Sequence, residues 1–256
     1  MNSPFKVVIP ARYASTRLPG KLLQEIDGKP LLQHVFESAS ASRASQVVIA
    51  TDDERIRSAA EAFGSRVIMT SPQHKSGTDR IAEAVVIMNE GDDSIIVNVQ
   101  GDEYGLPPTI IDQLADELHR NPDKHMATLC ENISGWEQLS NPHVVKVIMD
   151  RNNSAIYFSR SVIPWCGETG ATAIADLPYQ PYRHIGVYAY QAAFLKTYTS
   201  LPHCPLEDVE KLEQLRVLYH GFKIHVEQAC TETGLEVNTR EDLEKARQKT
   251  ATSNKL

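Results

Sequence analysis

Three cations, Arg12, Arg17 and Lys21, fall in the turn-rich segment "PARYASTRLPGK", immediately after the apolar run "FKVVI". A guanidinium presents a planar fork of donors to two oxygens of one anion, and an ammonium acts as a mobile point charge. A glycine-containing loop lets the backbone come close to a phosphate. The chemistry this composition serves is anion binding, with Arg12 the more directional contact. A surface salt-bridge cluster uses the same residue types. The segment has neither the GxxxxGK[ST] nor the GxGxxG spacing, so neither common nucleotide-loop label fits it.

A second group is "QGDE", which follows the run "SIIVNV". Gln100 offers both a donor and an acceptor, as a base-reading residue must. Gly101 permits close approach. Asp102 suits a hard divalent ion that bridges phosphate oxygens; a capped turn is the structural use of the same aspartate. Glu103 reads as a partner for a cation. "SGTDR" supplies Ser76, Thr78 and Arg80 at a helix start, where hydroxyls and backbone amides meet a base, ribose or anion. Ser76 or Thr78 equally serves as a cap, with Asp79 as a first-turn acid.

Around a long irregular stretch stand Arg160, Arg183, His184 and Tyr188. Arginine and histidine hold a carboxylate and tyrosine reads a hydroxyl. Glu213 and Gln214, on a later helix, are placed to contact a sugar, or else belong to a solvated helix face. Asn238 precedes a final helix. It reads as an N-cap, or as a metal ligand through its amide oxygen, weaker than a carboxylate because it lacks the full charge.

These residues need a scaffold. The apolar β-rich runs "FKVVI", "QVVIAT", "RVIM", "SIIVNVQ" and "VVKVIM" alternate with amphipathic, helix-length segments, and Gly64 supplies a helix end. Such alternation predicts an α/β fold, with a mostly parallel mixed sheet covered on both faces. "VKVIMDRNNSAIYFSR" reads as two strands about a polar turn. "LEDVEKLEQLRVLYHG" reads as one helix, and "PWCGETGATAIADLPYQPYR" as a long loop. The expected organisation is a single domain over 1–256, with a strand-rich insertion at roughly 130–190. Ligands of open α/β sheets sit beyond the strand C-termini. Arg12 and Asp102 then face one crevice.

The 256 residues suffice for a substantial core. A net charge of −7 argues against a nucleic-acid surface while allowing a local basic pocket. Cys130, Cys166, Cys204 and Cys230 are too widely spaced for a short metal motif and read as structural thiols. With no leader-like segment and no spanning apolar run, a cytoplasmic protein without membrane insertion is expected.

Taken in order, "VVIPARYASTRLPGK", "ATDDERI", "HKSGTDRIAE", "VNVQGDE", "IYFSRSVIPW", "YRHIGVYAY", "VEKLEQLRVLYHG" and "REDLE" resemble the 3-deoxy-manno-octulosonate cytidylyltransferases, or CMP-Kdo synthetases. The resemblance covers almost the whole chain. It implies a nucleotidyltransferase domain whose inserted subdomain serves dimerisation and sugar binding. The activity it implies is transfer of CMP from CTP to Kdo, for lipopolysaccharide synthesis. By the same resemblance, Arg12, Arg17 and Lys21 contact the nucleotide phosphates. Ser76, Thr78, Arg80 and Gln100 build the cytidine site, and Asp102 binds Mg2+. Arg160, His184, Tyr188, Glu213 and Gln214 orient the sugar acid, and the protein is a homodimer. Two departures stand out. Tyr104-Gly105 follows "QGDE" where the family has proline. The family's "VDTPEDL" is here "VNTREDL", which puts Asn238 in place of a second metal-binding aspartate. A related acid, such as 8-amino-3,8-dideoxy-manno-octulosonate, and a low-activity CTP-binding paralogue stay open.

Overall fold

The computed structural model describes residues 4–15, 17–74, 76–166 and 174–253. Its centre is a sheet of nine strands: β1 Phe5–Ala11, β2 Gln46–Thr51, β3 Arg66–Met69, β4 Ile95–Asn98, β5 Met126–Asn132, β6 Lys146–Met149, β7 Ala155–Ser159, β8 Tyr182–Gln191 and β9 Ile224–Gln228. Strands β3-β2-β1-β4 run parallel. The long strand β8 then enters antiparallel to β4. It also pairs with β5 and β6. Strand β7 closes on β6, and β9 lies parallel to β5 at an edge. The result is the expected α/β architecture, a mixed sheet with a mostly parallel centre.

The strands read as nearly continuous apolar runs because both faces are covered. Alternate residues divide between two cores, as a period of two requires. Val7, Ile9, Ile49, Val97, Ala127, Leu129, Val187 and Ala189 face one side. Helices α1 Leu31–Ser40, α2 Glu54–Ala62, α4 Pro108–Arg120 and α9 Arg240–Ser253 pack there. Val8, Val48, Ile96, Met126, Tyr188 and Tyr190 face the other side, under α3 Gly77–Ile87, α6 Ala192–Ser200 and α8 Gln214–Tyr219. A small third core of Ile133, Leu139 and Ile174 lies by the short helix α5 Trp136–Ser140, beside the antiparallel flank.

Local chemistry sets the helix ends. Asp53 caps α2 through the Arg55 amide, and Gly64 beyond it takes φ +84°, the left-handed region glycine tolerates. Ser76 and Asp79 form a reciprocal capping box on α3. Pro108 occupies the first turn of α4. The expected single helix over "LEDVEKLEQLRVLYHG" is instead two, α7 Pro205–Glu210 and α8. Lys211 adopts φ +57° and ends the first. The break lets Leu212 and Leu215 both reach the core.

Candidate active site

The chain leaves β1 for β2 and β3 on one side and returns to β4 on the other, so the strand order switches direction between β1 and β4. In open α/β sheets that gap is where ligands bind. A cleft of about 360 Å³ opens there, lined among others by Arg12, Arg17, Lys21, Gln100 and Asp102. Pro10 and Gly77 also line it. Gly77 cannot readily be larger, because a Cβ would stand 3.3 Å from Pro10 Cγ. At Gly101 a Cβ would lie 3.0 Å from Leu22 Cδ1 and 3.3 Å from the Pro10 carbonyl. These glycines keep the floor of the cleft open.

The cations are organised by oxygens. Lys21 makes a charge-assisted bond to Asp102 Oδ2 and lies 3.2 Å from Asn238 Oδ1. Arg17 donates to the same Asn238 oxygen at 2.9 Å. Arg12 donates to the Ser76 carbonyl at 2.6 Å, which ties the first loop to the start of α3. Asp102 is pinned because its carbonyl accepts the Val237 amide at 3.0 Å. Residues Glu103–Tyr104 also pair with Leu235–Glu236. That ribbon brings a residue near the C-terminus to one near the N-terminus. The N-cap expected of Asn238 belongs to its neighbour: Thr239 Oγ1 accepts the Asp242 amide at 3.2 Å, and Asp242 Oδ2 accepts the amides of Asn238 and Thr239. Thr239 takes the role because the Asn238 side chain is turned to Lys21 and Arg17.

Gln100 is oriented by its amide, which donates to Asn98 Oδ1 at 3.1 Å. Sequence reasoning missed Asn98, although a polar residue ending the apolar run "IIVN" and wholly buried signals a hydrogen-bonding duty. Thr78 is buried and donates to Glu213 Oε1 at 2.8 Å rather than lining the cleft. Arg80 is fully buried, 3.1 Å from Asp52 Oδ1. It borders a neighbouring hollow of about 230 Å³ that shares Arg12 and Ala14 with the cleft.

Of the remaining candidates, His184 and Tyr188 lie on β8, and Glu213 and Gln214 lie at the start of α8. Tyr188 sits opposite Asn98 in the β8–β4 register. His184 stacks at 5.4 Å from Tyr188, and its Nε2 is 3.0 Å from Thr128 Oγ1. Burial, with Arg183 adjoining, drives the His184 pKa down to about 3, so the ring is neutral. Burial raises the Glu213 carboxyl above its ordinary value, with the Thr78 hydrogen bond acting in opposition. Gln214 is buried, and among the described residues its amide nitrogen has no hydrogen-bond partner. Arg160 stands apart: its guanidinium rests on the Glu210 and Pro142 carbonyls. Glu103 does not pair with a cation as its type suggested. Among the described residues it has no ion-pair partner; burial, then Glu236 and Asp102, push it up to about 8.

Asp102 and Asn238 present two hard oxygen donors to one ammonium, Lys21 Nζ. A cationic point already lies between them, and a magnesium ion completed by water and phosphate oxygens fits that donor set. No helix among the described residues is long and apolar enough to cross a membrane. All four cysteines are free thiols, and burial raises Cys130 to about 12.

Comparison with known proteins gives this geometry its context. Residues 6–224 match the cytidylyltransferase family. A 3-deoxy-manno-octulosonate cytidylyltransferase of Pseudomonas fluorescens is 51% identical over 249 residues, covering 96% of this chain and 98% of its own. One from Coxiella burnetii is 50% identical over 244 residues, covering 95% and 98%. The solved structure of a CMP:2-keto-3-deoxy-manno-octonic acid synthetase complexed with CTP superposes with a TM-score of 0.89 at 40% identity, covering 98% of this chain and all of that one. A nucleotidyl transferase from Methanothermobacter, 14% identical with a TM-score of 0.61, shares the fold.

Proposed function

Because the chain belongs to the cytidylyltransferase family, we propose that its cleft performs the reaction its relatives are named for. CMP passes from CTP to Kdo, giving CMP-Kdo and pyrophosphate. The observation that carries this reading is the convergence of Arg12, Arg17, Lys21, Asp102 and Asn238 at the β1–β4 switch point.

The anomeric oxygen of Kdo attacks the α-phosphorus of CTP. The new P–O bond forms as the bond to the bridging oxygen breaks, pyrophosphate leaves, and the hydroxyl proton passes to solvent. Arg12, Arg17 and Lys21 neutralise the phosphate oxygens where charge builds, and the cleft aligns the two reactants. Gln100, set by Asn98, reads the cytosine edge, with Ser76, Thr78 and Arg80 framing the nucleoside side. His184, Tyr188, Glu213, Gln214 and Arg160 orient the sugar acid. Asp102, with Asn238 as a neutral partner, would hold Mg2+, which supplies positive charge at the phosphates. Nucleotide binding releases Lys21 from Asp102 to the phosphates. The antiparallel flank at roughly 130–190 serves sugar binding and pairing into a homodimer, and the protein works in the cytoplasm.

The deciding experiment incubates purified protein with CTP, Mg2+ and Kdo, and follows CMP-Kdo by mass spectrometry alongside pyrophosphate. Pyrophosphate without a CMP-sugar means hydrolysis and overturns the assignment. Comparing kcat/KM for Kdo with that for its 8-amino analogue settles the sugar acid, with Kdo expected to be the better substrate.

Two side-chain predictions follow from the geometry. Arg17→Ala lowers kcat/KM about tenfold to a hundredfold, through loss of a charge-assisted phosphate contact. The side chain is exposed, so the melting temperature stays close to that of the parent. Normal turnover in the folded variant argues against that contact. Asn238→Asp lowers the magnesium concentration for half-maximal rate several-fold, since a carboxylate adds charge to the ligand set. Magnesium titrations at saturating CTP and Kdo measure it; identical curves place Asn238 outside the metal's reach.

A further inference from the structure

Away from the cleft, helix α4 packs over the edge strand β9. His225 and Glu227 are two residues apart on β9, so their side chains leave the same face of the strand. Glu117 descends on them from α4. His225 Nε2 lies 3.3 Å from Glu117 Oε2 and 3.8 Å from Glu227 Oε2. One ligand atom from each residue lies within 4.8 Å of the other two. Glu117 is 8% exposed and His225 only 4%.

A buried imidazole ordinarily satisfies its nitrogens. Among the described residues His225 Nδ1 has no hydrogen-bond partner, and Nε2 faces two carboxylates without well-aligned hydrogen-bond geometry to either. The carboxylates themselves are oriented from outside. Arg120 donates to Glu117 Oε1 and leaves Oε2 toward the histidine. Asn153 Nδ2 donates to Glu227 Oε2 at 2.8 Å, and the Gln228 amide to Glu227 Oε1 at 3.0 Å. Ligands held by such outer contacts are the usual surroundings of a metal. A tetrahedral ion with bonds of about 2.0–2.1 Å sets its ligands about 3.3–3.4 Å apart. The separations from His225 Nε2, 3.3 Å to Glu117 and 3.8 Å to Glu227, are at or somewhat beyond that spacing, and the two carboxylates lie within 4.8 Å of each other.

We propose that Glu117, His225 and Glu227 bind a divalent cation of borderline softness, zinc fitting best, and that the ion clamps α4 to β9. An imidazole beside two carboxylates suits such ions better than calcium or magnesium, which favour all-oxygen shells. Arg120 and Lys124 place positive charge nearby, so coordination by the imidazole, and not charge attraction alone, must hold the ion. Three protein ligands leave a fourth position for water. None of the three residues lines the nucleotide cleft.

Full-length protein freed of metal with EDTA is titrated with zinc chloride alone, by calorimetry and by thermal melting. One bound equivalent and a raised melting temperature are expected. Glu227→Gln changes a partly exposed ligand and is expected to fold. It should weaken zinc binding at least about tenfold, since perturbing even outer-shell partners typically costs that much. Glu117→Gln should do the same, and Asp102→Asn should leave the zinc isotherm unchanged. Absence of both binding heat and a raised melting temperature with zinc in roughly hundredfold excess over protein overturns the site. So does equal binding by Glu227→Gln, or loss of binding in Asp102→Asn.

Discussion

Replacing Asp102 by asparagine lowers kcat/KM for CMP-Kdo formation by about 10²–10³-fold, the loss typical when one charge-stabilising group is removed from a reacting centre. The substitution is isosteric, so backbone contacts such as the Val237 amide on the Asp102 carbonyl are retained. What disappears is the only carboxylate in the proposed donor set, because the facing position is already the amide of Asn238. Two neutral amides then confront a divalent ion and a polyphosphate. Lys21 also loses its carboxylate partner, with the pair only 12% and 19% exposed at their side chains. The effect on stability should be about 1 kcal/mol, as for a partly solvated pair. Raising magnesium should recover part of the rate, since the residual site is weak rather than absent. Wild-type kcat/KM in the folded variant would remove Asp102 from the reacting phosphates. Parent-like magnesium dependence with a reduced rate would leave it a role in holding Lys21 alone.

Much of this was legible in the sequence because the parallel centre of the sheet is written in local terms. The runs "FKVVI", "QVVIAT" and "SIIVNV" are apolar on both faces, and two of the helices between them carry their own signals, the Asp53 cap and Gly64 stop of α2 and the Ser76 cap of α3. The placement of Arg12 and Asp102 followed from strand ends. Long-range pairings were not legible. Asn238 looked like an N-cap because asparagine before a helix usually is one, yet the ribbon Glu103–Tyr104 with Leu235–Glu236 turns it toward the cleft. Thr78 and Arg80 read as nucleoside contacts by type, but what positions them was not visible. The side chains they meet, Glu213 and Asp52, are 135 residues and 28 residues away in the chain. The break at Lys211 was hidden too, because "LEDVEKLEQLRVLYHG" keeps helical periodicity through a residue that tertiary packing forces to positive φ.

That break gives the second large effect. Arg216→Met destabilises the protein by about 3–5 kcal/mol, because it strands a buried carboxylate. Arg216 is 3% exposed and grips Glu207 with two donors, Nε at 2.8 Å from Oε2 and a shorter contact to Oε1. The pair crosses the kink between α7 and α8, and the guanidinium also lies 4.6 Å over the Tyr198 ring. The Glu207 bond is the leading cause that raises the arginine pKa above its already high value, so no accessible pH uncharges it. Removing both charges separates the effects. In Glu207→Leu/Arg216→Met an apolar pair replaces the ion pair, and most of the lost stability should return, as observed for buried pairs in general. The kink should remain less well fixed, since an apolar contact lacks the direction of two hydrogen bonds. Glu213, the residue before α8, depends on that geometry to meet Thr78. The double variant should therefore show a raised KM for Kdo with KM for CTP little changed. Denaturant melts of the single and double variants measure the first claim. Equal loss in both would mean that packing, and not the stranded charge, dominates, and an unchanged KM for Kdo would detach Glu213 from the sugar acid.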